Sequence, residues 1–249
     1  MSGFLGSGKL YFNRVVGGVS QNWLPFGNAT KFEIKENAEI KERKSKIKGT
    51  YGQVLDSVAI KQPPEVAIAL DDLDKDNLAL LFLGDVSSVS VTGGSVTSEA
   101  QTAKLDKSFE LANRKVTSVV VKDVTDTTTY VENTDYEIVN ADLGFVKPLS
   151  GGSISEDDVL HISYDYATIA GNKISGGTNS SIKVALKLDG ENFADQSNVL
   201  VDVWEAVLTP QTGVDFLSED FATLELNGTL NTPSGKSNSY EVQTDLAYS

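Results

Sequence analysis

The sequence predicts a mainly β chain with a single flanking helix and an inserted small β module. Three observations carry that expectation. Val66, Ile68 and Leu70 alternate with Glu65, Ala67 and Ala69, and Ile182, Val184, Leu186 and Leu188 alternate with Lys183, Ala185 and Lys187. This is the period of half-buried strands. Only Asp71 to Gly84 carries a helical pattern, with Leu73, Asn77, Leu80 and Leu81 on one face and Leu78 and Phe82 beside them. From Asp85 to Ala167 the texture shifts toward Ser, Thr, Gly and Asp between short apolar runs.

At the amino end, Gly3 to Leu10 nearly spells the phosphate-cradling G-x-x-x-x-G-K-[S/T] loop. That loop needs a strand before it, a helix after it and a hydroxyl for magnesium. No strand pattern precedes Gly3, Leu10 replaces the hydroxyl, and Lys9 to Arg14 reads as extended. Gly3, Gly6 and Gly8 are expected instead to give an N-terminal arm, residues 1–22, its freedom.

Phe32, Ile34, Ala38 and Ile40 share one parity of a strand at 31–42, and Lys31, Glu33, Lys35, Asn37, Glu39 and Lys41 share the other, which should see water. A basic, glycine-containing loop follows at 42–57, then the strand ending at Leu70. The helix is expected over 72–83, capped by Asp71 or Asp72, with Gly84 as its C′ residue. Asp72, Asp74 and Asp76 have the spacing of alternating calcium ligands. However, Asn77 stands where the sharp-turn glycine belongs and Leu83 where the bidentate glutamate belongs, so a capped helix is the better reading.

Within the insert, strands are expected at 116–121, 128–132 and 160–164. Residues 168–181 read as a loop returning to the main sheet, and Asp189-Gly190 as a turn. The last strands are expected at 199–208 and 221–230, the former apolar on both parities except at Asp202 and Glu205.

The 249 residues carry a formal charge of −14, unevenly spread. Through Lys61 there are ten Lys/Arg against five Asp/Glu; from Gln62 onward there are eleven against thirty. So acidic a body argues against ordinary nucleic-acid binding, which needs cations to displace phosphate counterions. A basic segment set apart from it can meet an acidic surface on another copy, or can serve solubility alone. No run approaches the ~20 apolar residues that span a bilayer. No export signal is visible, so the sequons at Asn28, Asn179 and Asn227 carry little weight.

Catalytic chemistry is not legible. Cysteine is absent, which removes thiolate metal sites and cysteine nucleophiles. The single histidine, His161, sits in a strand pattern between Leu160 and Ile162, and no Gly-x-Ser-x-Gly elbow offers a serine. Carboxylates are plentiful, yet no pair stands out as acid and base. Trp204 lies among valines and reads as packing rather than, with Trp23, a sugar platform. No cofactor is expected.

The order of features resembles the tail tube (major tail) protein of long-tailed bacteriophages. The likeness runs through Leu24-Pro-Phe-Gly-Asn28, the strand Lys31–Lys41, the basic loop Glu42–Asp56, the strand ending Ile68-Ala-Leu and the helix from Leu73. It resumes in the strands 182–188, 199–208 and 221–230, about two-thirds of the chain in all, and 85–167 departs from it.

The resemblance implies a β-sandwich or half-barrel with a flanking helix, built from 1–84 and 168–249. Its partners would be itself in stacked hexameric rings, a tape-measure protein, tail terminator and distal tail proteins, and double-stranded DNA passing without specific binding. It would reside in the virion tail after assembly in the host cytoplasm, without membrane insertion or catalysis. The insert would decorate the outer wall. Lumen-facing residues would be Glu33, Lys35, Glu39, Asp202 and Glu225, and inter-ring contacts Arg43, Lys44, Lys46, Lys48 and Tyr51. Phe4, Leu5, Leu10 and Tyr11 would form the arm contact. The rival readings are an adhesin-type β-sandwich that binds carbohydrate or a host surface, a carboxylate-pair hydrolase, and another tube-forming relative from a secretion or contractile apparatus that shares the fold class.

Overall fold

The computed structural model describes residues 5–17 and 19–244. The chain divides into two units, Met1–Ser87 with Ile174–Ser249, and Ser88–Lys173. The first unit holds strands β1 (Gly6–Val16), β2 (Val19–Pro25), β3 (Ala29–Lys44) and β4 (Val54–Leu70), then helix α1 (Lys75–Leu81). The second holds β6 (Gly94–Thr102), β7 (Phe109–Glu110), β8 (Val116–Asp123), β9 (Tyr136–Asn140), β10 (Phe145–Pro148) and β11 (Val159–Tyr166). The chain passes out along β5 (Asp85–Val91) and back along β12 (Ile169–Ser175), which pair with each other. The first unit closes with β13 (Ile182–Asn192), β14 (Ser197–Pro210), β15 (Leu224–Asn231) and β16 (Tyr240–Thr244). The return segment, expected to be a loop, is therefore a strand for half its length.

The main sheet runs β2-β1-β13-β14-β15-β4-β3, with β16 beside β14. Its first and last members, β2 and β3, are consecutive in the chain and joined only by Phe26-Gly27-Asn28. Four Cα steps cover at most about 14 Å, so the sheet must roll until its two ends come close. No ladder joins them among the described residues, and both end strands keep an edge without a strand partner.

The rolled sheet encloses Leu10, Phe12, Phe26, Val66, Ile68, Leu70, Val184, Leu186, Leu208 and Leu226 with Leu80 and Leu81 of the helix. The alternation in 65–70 and 182–188 is the inward and outward alternation of this wall.

Of the expected arm, residues 6–16 form β1 and residues 19–22 belong to β2. Leu10 is 1 % exposed, because β1 pairs with β13 along Gly6 to Val15. Gly8 serves proximity rather than freedom, since a Cβ there would lie 2.6 Å from the Asp189 carbonyl oxygen and 2.8 Å from the Gly190 Cα. The expected turn at Asp189-Gly190 is likewise interior strand, paired with Lys9 and Gly8. The reversal comes later, where Asn192 accepts from the Ala194 N–H and donates to Asp195. The phosphate-loop likeness is accidental, because Gly8, Lys9 and Leu10 lie in β1 and no helix follows them.

The helix is shorter than expected and differently capped. Asp74, not Asp71 or Asp72, accepts from the N–H groups of Asp76 and Asn77. At the far end Leu83 takes the left-handed position (φ +47°), its N–H donating to Leu80 and that of Gly84 to Ala79. Gly84 is needed for a different reason, as a Cβ would meet the Ser175 carbonyl oxygen at 2.5 Å.

Asn77 is 1 % exposed and its amide donates to the carbonyls of Phe26 (3.0 Å) and Asp72 (2.9 Å), pinning the helix to the β2–β3 link. Asn77→Ala should lower stability by about 1–3 kcal/mol by stranding the buried Phe26 carbonyl. An unchanged denaturant midpoint would refute that role.

The second unit packs two three-stranded sheets, β6-β11-β8 and β7-β10-β9, around one core of Val121, Tyr136, Val146, Leu160, Ile162 and Tyr164. Buried Tyr136 donates to the Val119 carbonyl, and the Tyr164 hydroxyl donates to Glu99 at 2.5 Å. Residues 128–132, expected to be a strand, make only isolated bridges at Thr129 and Glu132. There Asp123 accepts from the Thr125 hydroxyl, the amide of Thr128, and the hydroxyl and amide of Thr127, which hold its pKa down at about 2.

Candidate functional site: an exposed sheet face and a projecting hairpin

β3 and β4 form the longest ladder of the sheet, from Ala29–Leu70 to Lys44–Val54. β15 supports β4 only from Glu65 to Leu70, so from Gln62 to Val54 the hairpin has no third strand. Nine residues at 3.3 Å each make a projection of roughly 30 Å. The expected basic loop at 42–57 is thus strand at both ends, 42–44 and 54–57, and the turn itself is 45–53, closed by Ser45 N–H to Gln53 O and Gly52 N–H to Ser45 O.

A register shift between Lys35 and Asn37 leaves one extra residue in β4, where Pro63 and Pro64 sit. Proline cannot donate to a ladder, so a bulge is where a strand tolerates it. Because β3 alternates without interruption, Ile60 and Val58, opposite Glu39 and Lys41, change face relative to Val66 and Ile68. Both faces of the projection then carry exposed apolar side chains, Ile60 and Val58 on one and Ile40 on the other, and Leu55 stands exposed at a second register shift between the Arg43–Asp56 and Lys44–Val54 pairs.

Of the expected inter-ring residues, Arg43 and Lys44 end β3, while Lys46, Lys48 and Tyr51 lie in the turn, all exposed. Tyr51 is 78 % exposed and Ile47 stands out with it. Lys44 leans on Glu42 at 3.2 Å and Lys41 on Glu39 at 3.7 Å, pairs too exposed to contribute much stability.

The expected lumen residues fall on one face of the sheet, opposite the core. Glu33 pairs with Ala67, which pairs with Asn227 beside Thr209; Lys31, Ala69 and Glu225 form the next row. Lys35, Glu65, Thr229, Val207 and Lys183 continue across to β13, where Lys187 is in register with Asp202. A shallow groove of about 330 Å³ runs between Glu33, Lys35, Glu65, Thr209 and Asn227. Glu39 has the same parity but sits on the projection.

This face is not uniformly anionic. Lys31 bonds Glu33 at 2.7 Å, Lys183 bonds Glu205 at 3.4 Å and Lys187 bonds Asp202 at 2.7 Å. The lysine holds the Glu33 carboxyl below its ordinary range, and the carboxylate raises Lys31 in return. Three cations of the wall are thereby already occupied by carboxylates.

Among the expected arm contacts, Leu5 is exposed, Tyr11 half-buried beside Pro25, and Leu10 buried in the core, where it can touch no neighbour. Phe4 lies outside the described residues. His161 makes a 3.1 Å contact with Asp126. Trp23 is exposed with Lys187 over its ring, and Trp204 donates to Asn238 beneath Lys236. Among the described residues no group of His, Asp and Glu is placed to hold a metal ion. Among the described residues no helix is long and apolar enough to cross a membrane.

A surface not singled out in the sequence is the turn between β14 and β15, residues 211–223. Phe216 and Leu217 project from it, Leu217 at 93 % exposure and Phe221 at 99 %. Phe221, expected to open the last strand, precedes β15 by three residues.

A family model described as protein of unknown function UCP028589 matches residues 3–241. The chain belongs to that family. The match spans both units of this UCP028589 member. No curated protein matches the chain.

Proposed function

We propose that this chain is a structural subunit that polymerises with its own copies, as stacked hexameric rings, into the tail tube of a long-tailed bacteriophage. The observation that carries this reading is the β3–β4 projection. An isolated two-stranded hairpin is marginal in water. This one nevertheless displays Ile40, Ile47, Tyr51, Leu55, Val58 and Ile60 to solvent. Such a surface favours association with a protein partner.

The two open edges of the rolled sheet supply the lateral half of the argument. β2, exposed along its whole length, and β3 each offer an unpaired row of backbone groups. Copies joined edge to edge would turn each rolled sheet into part of a larger closed wall. The face carrying Glu33, Lys35, Asp202 and Glu225 would line the bore. On this face Lys31, Lys183 and Lys187 are already paired with carboxylates and Lys35 lies in register with Glu65, which leaves few cations to hold DNA phosphates. The subunit then needs no catalysis and no cofactor. Its remaining partners are a tape-measure protein inside the tube and tail terminator and distal tail proteins at the tube's ends, in a virion assembled in the host cytoplasm.

A surface-binding, adhesin-type reading draws on one feature of the second unit, an open groove of about 580 Å³ lined by Val91, Asn113, Arg114, Tyr166 and Asn172. Electron microscopy of the purified full-length chain separates the two. Rings or hollow tubes are expected; dispersed monomers or trimers across a concentration series would refute assembly and favour surface binding.

A further inference from the structure

We infer that the turn 211–223 is the docking site for the β3–β4 hairpin tip of a second copy of this chain. The inference rests on the self-assembly reading above and names the surface that reading leaves open.

Position in the fold is the first ground. The hairpin tip lies beyond Val54, at one end of β4, whereas Leu224, which ends the 211–223 turn, pairs with Leu70 at the other end. Seventeen residues of strand separate them, roughly 50 Å. The two surfaces therefore cannot meet within one molecule along this strand. Two different patches at opposite ends of a subunit make a heterologous, head-to-tail contact, the kind that propagates.

Complementarity is the second ground. From Lys41 to Lys48 the tip carries five basic residues against one acidic residue, with Ile47 and Tyr51 exposed nearby. From Gln211 to Leu224 the turn carries Asp215, Glu219 and Asp220 and no basic residue, and Phe216, Leu217 and Phe221 stand out between them. Each surface thus interleaves bulky apolar groups with charges, of opposite sign. Apolar contact supplies affinity and the charges set register and reject the wrong partner.

The turn is also held in place. Gln211 N–H donates to the Glu225 carbonyl, Glu225 N–H donates to the Thr212 hydroxyl, and that hydroxyl donates to the Thr223 carbonyl. The Phe216 ring stacks on Phe82 at the end of α1, centroids 6.2 Å apart. The Leu217 N–H donates to Asp215, and the Asp220 N–H to Ser218. A receptor fixed in advance loses less conformational entropy on binding.

The chain has no cysteine, so introduced thiols are the only ones present. Tyr51→Cys and Leu217→Cys variants of the full-length chain, mixed and oxidised, should give a disulfide-linked dimer containing one of each, and neither variant alone should. D215K/E219K/D220K should raise the concentration needed for assembly by more than about a hundredfold, the scale of several juxtaposed like charges. Adding K44E/K46E/K48E in the same chain should restore assembly, a recovery that misfolding could not produce.

Tubes that form without the mixed disulfide, or that tolerate the reversed turn, would overturn this contact and leave the tube reading standing. The mixed disulfide without rings or tubes would do the opposite. Absence of both would overturn both.

Discussion

Reversing Arg43, Lys44, Lys46 and Lys48 to glutamate is expected to abolish tube growth while the subunit stays folded. All four side chains lie at the end of the projecting hairpin, exposed and outside both hydrophobic cores. Exposed substitutions away from caps and buried networks change stability by about 0.5 kcal/mol or less, so circular dichroism and the unfolding midpoint should stay put. Assembly should not. The remainder of the chain beyond Lys61 carries eleven Lys/Arg against thirty Asp/Glu, so a basic tip meets a favourable field almost anywhere on a neighbour and a reversed tip meets a hostile one.

Salt provides an independent reading of the same effect. Exposed charges are screened beyond about 8–10 Å at physiological ionic strength. Wild-type growth should therefore slow as salt rises, and growth of the reversed variant, where any remains, should recover. Sedimentation and negative-stain microscopy across a salt series measure both. Tubes from the reversed variant at the wild-type concentration and low salt would remove the electrostatic account of the hairpin.

The hairpin also shows what the sequence could and could not reveal. Strands β13 and β4 were legible because half-burial writes alternation into them, Leu186 in and Lys187 out. The outer half of the hairpin is covered on neither face, so nothing selects its side chains by parity, and Glu42 to Asp56 reads as a basic loop. The bulge at Pro63 and Pro64 compounds this by shifting Val58 and Ile60 out of phase with Val66 and Ile68.

Asp189-Gly190 misleads for a different reason. Gly190 is there because β1 and β14 approach closely, its would-be Cβ lying 3.2 Å from the Ser7 carbonyl oxygen and 3.1 Å from that of Val199, and a packing glycine looks like a turn glycine in one dimension. Of the sites, the outward placement of Glu33 and Glu225 follows from parity alone. Their pairing with lysines does not, because Lys187 and Asp202 lie on separate strands and meet only once β13 and β14 are in register. The 211–223 turn left no trace, since Phe216 and Phe221 have the composition of strand or core.

The second large effect is expected at Phe26→Ala. Phe26 is fully buried at the point where the rolled sheet nearly meets itself, between the last residue of β2 and the start of β3. Its ring lies 4.4 Å from that of Phe12, its N–H donates to the Leu10 carbonyl and its own carbonyl accepts from Asn77. This one residue therefore joins β1, the β2–β3 link and the helix, its backbone through hydrogen bonds and its ring through packing on Phe12. Removing a buried phenyl ring costs about 3–5 kcal/mol, from lost burial and from a cavity that a rolled sheet pinned by ladders on every strand cannot easily collapse.

That cost is a large share of the 5–15 kcal/mol that separates a folded domain from its unfolded chain. It should also be confined. Ser88–Lys173 has its own core, which contains none of these residues, so its unfolding transition should keep its midpoint while that of the first unit falls. Phe26→Leu, which keeps most of the volume, should lose far less. Denaturant unfolding followed by hydrogen exchange in each unit tests this directly. Equal loss in both units would mean that they fold as one cooperative body, and no loss in either would mean that Phe26 does not secure the closure of the roll.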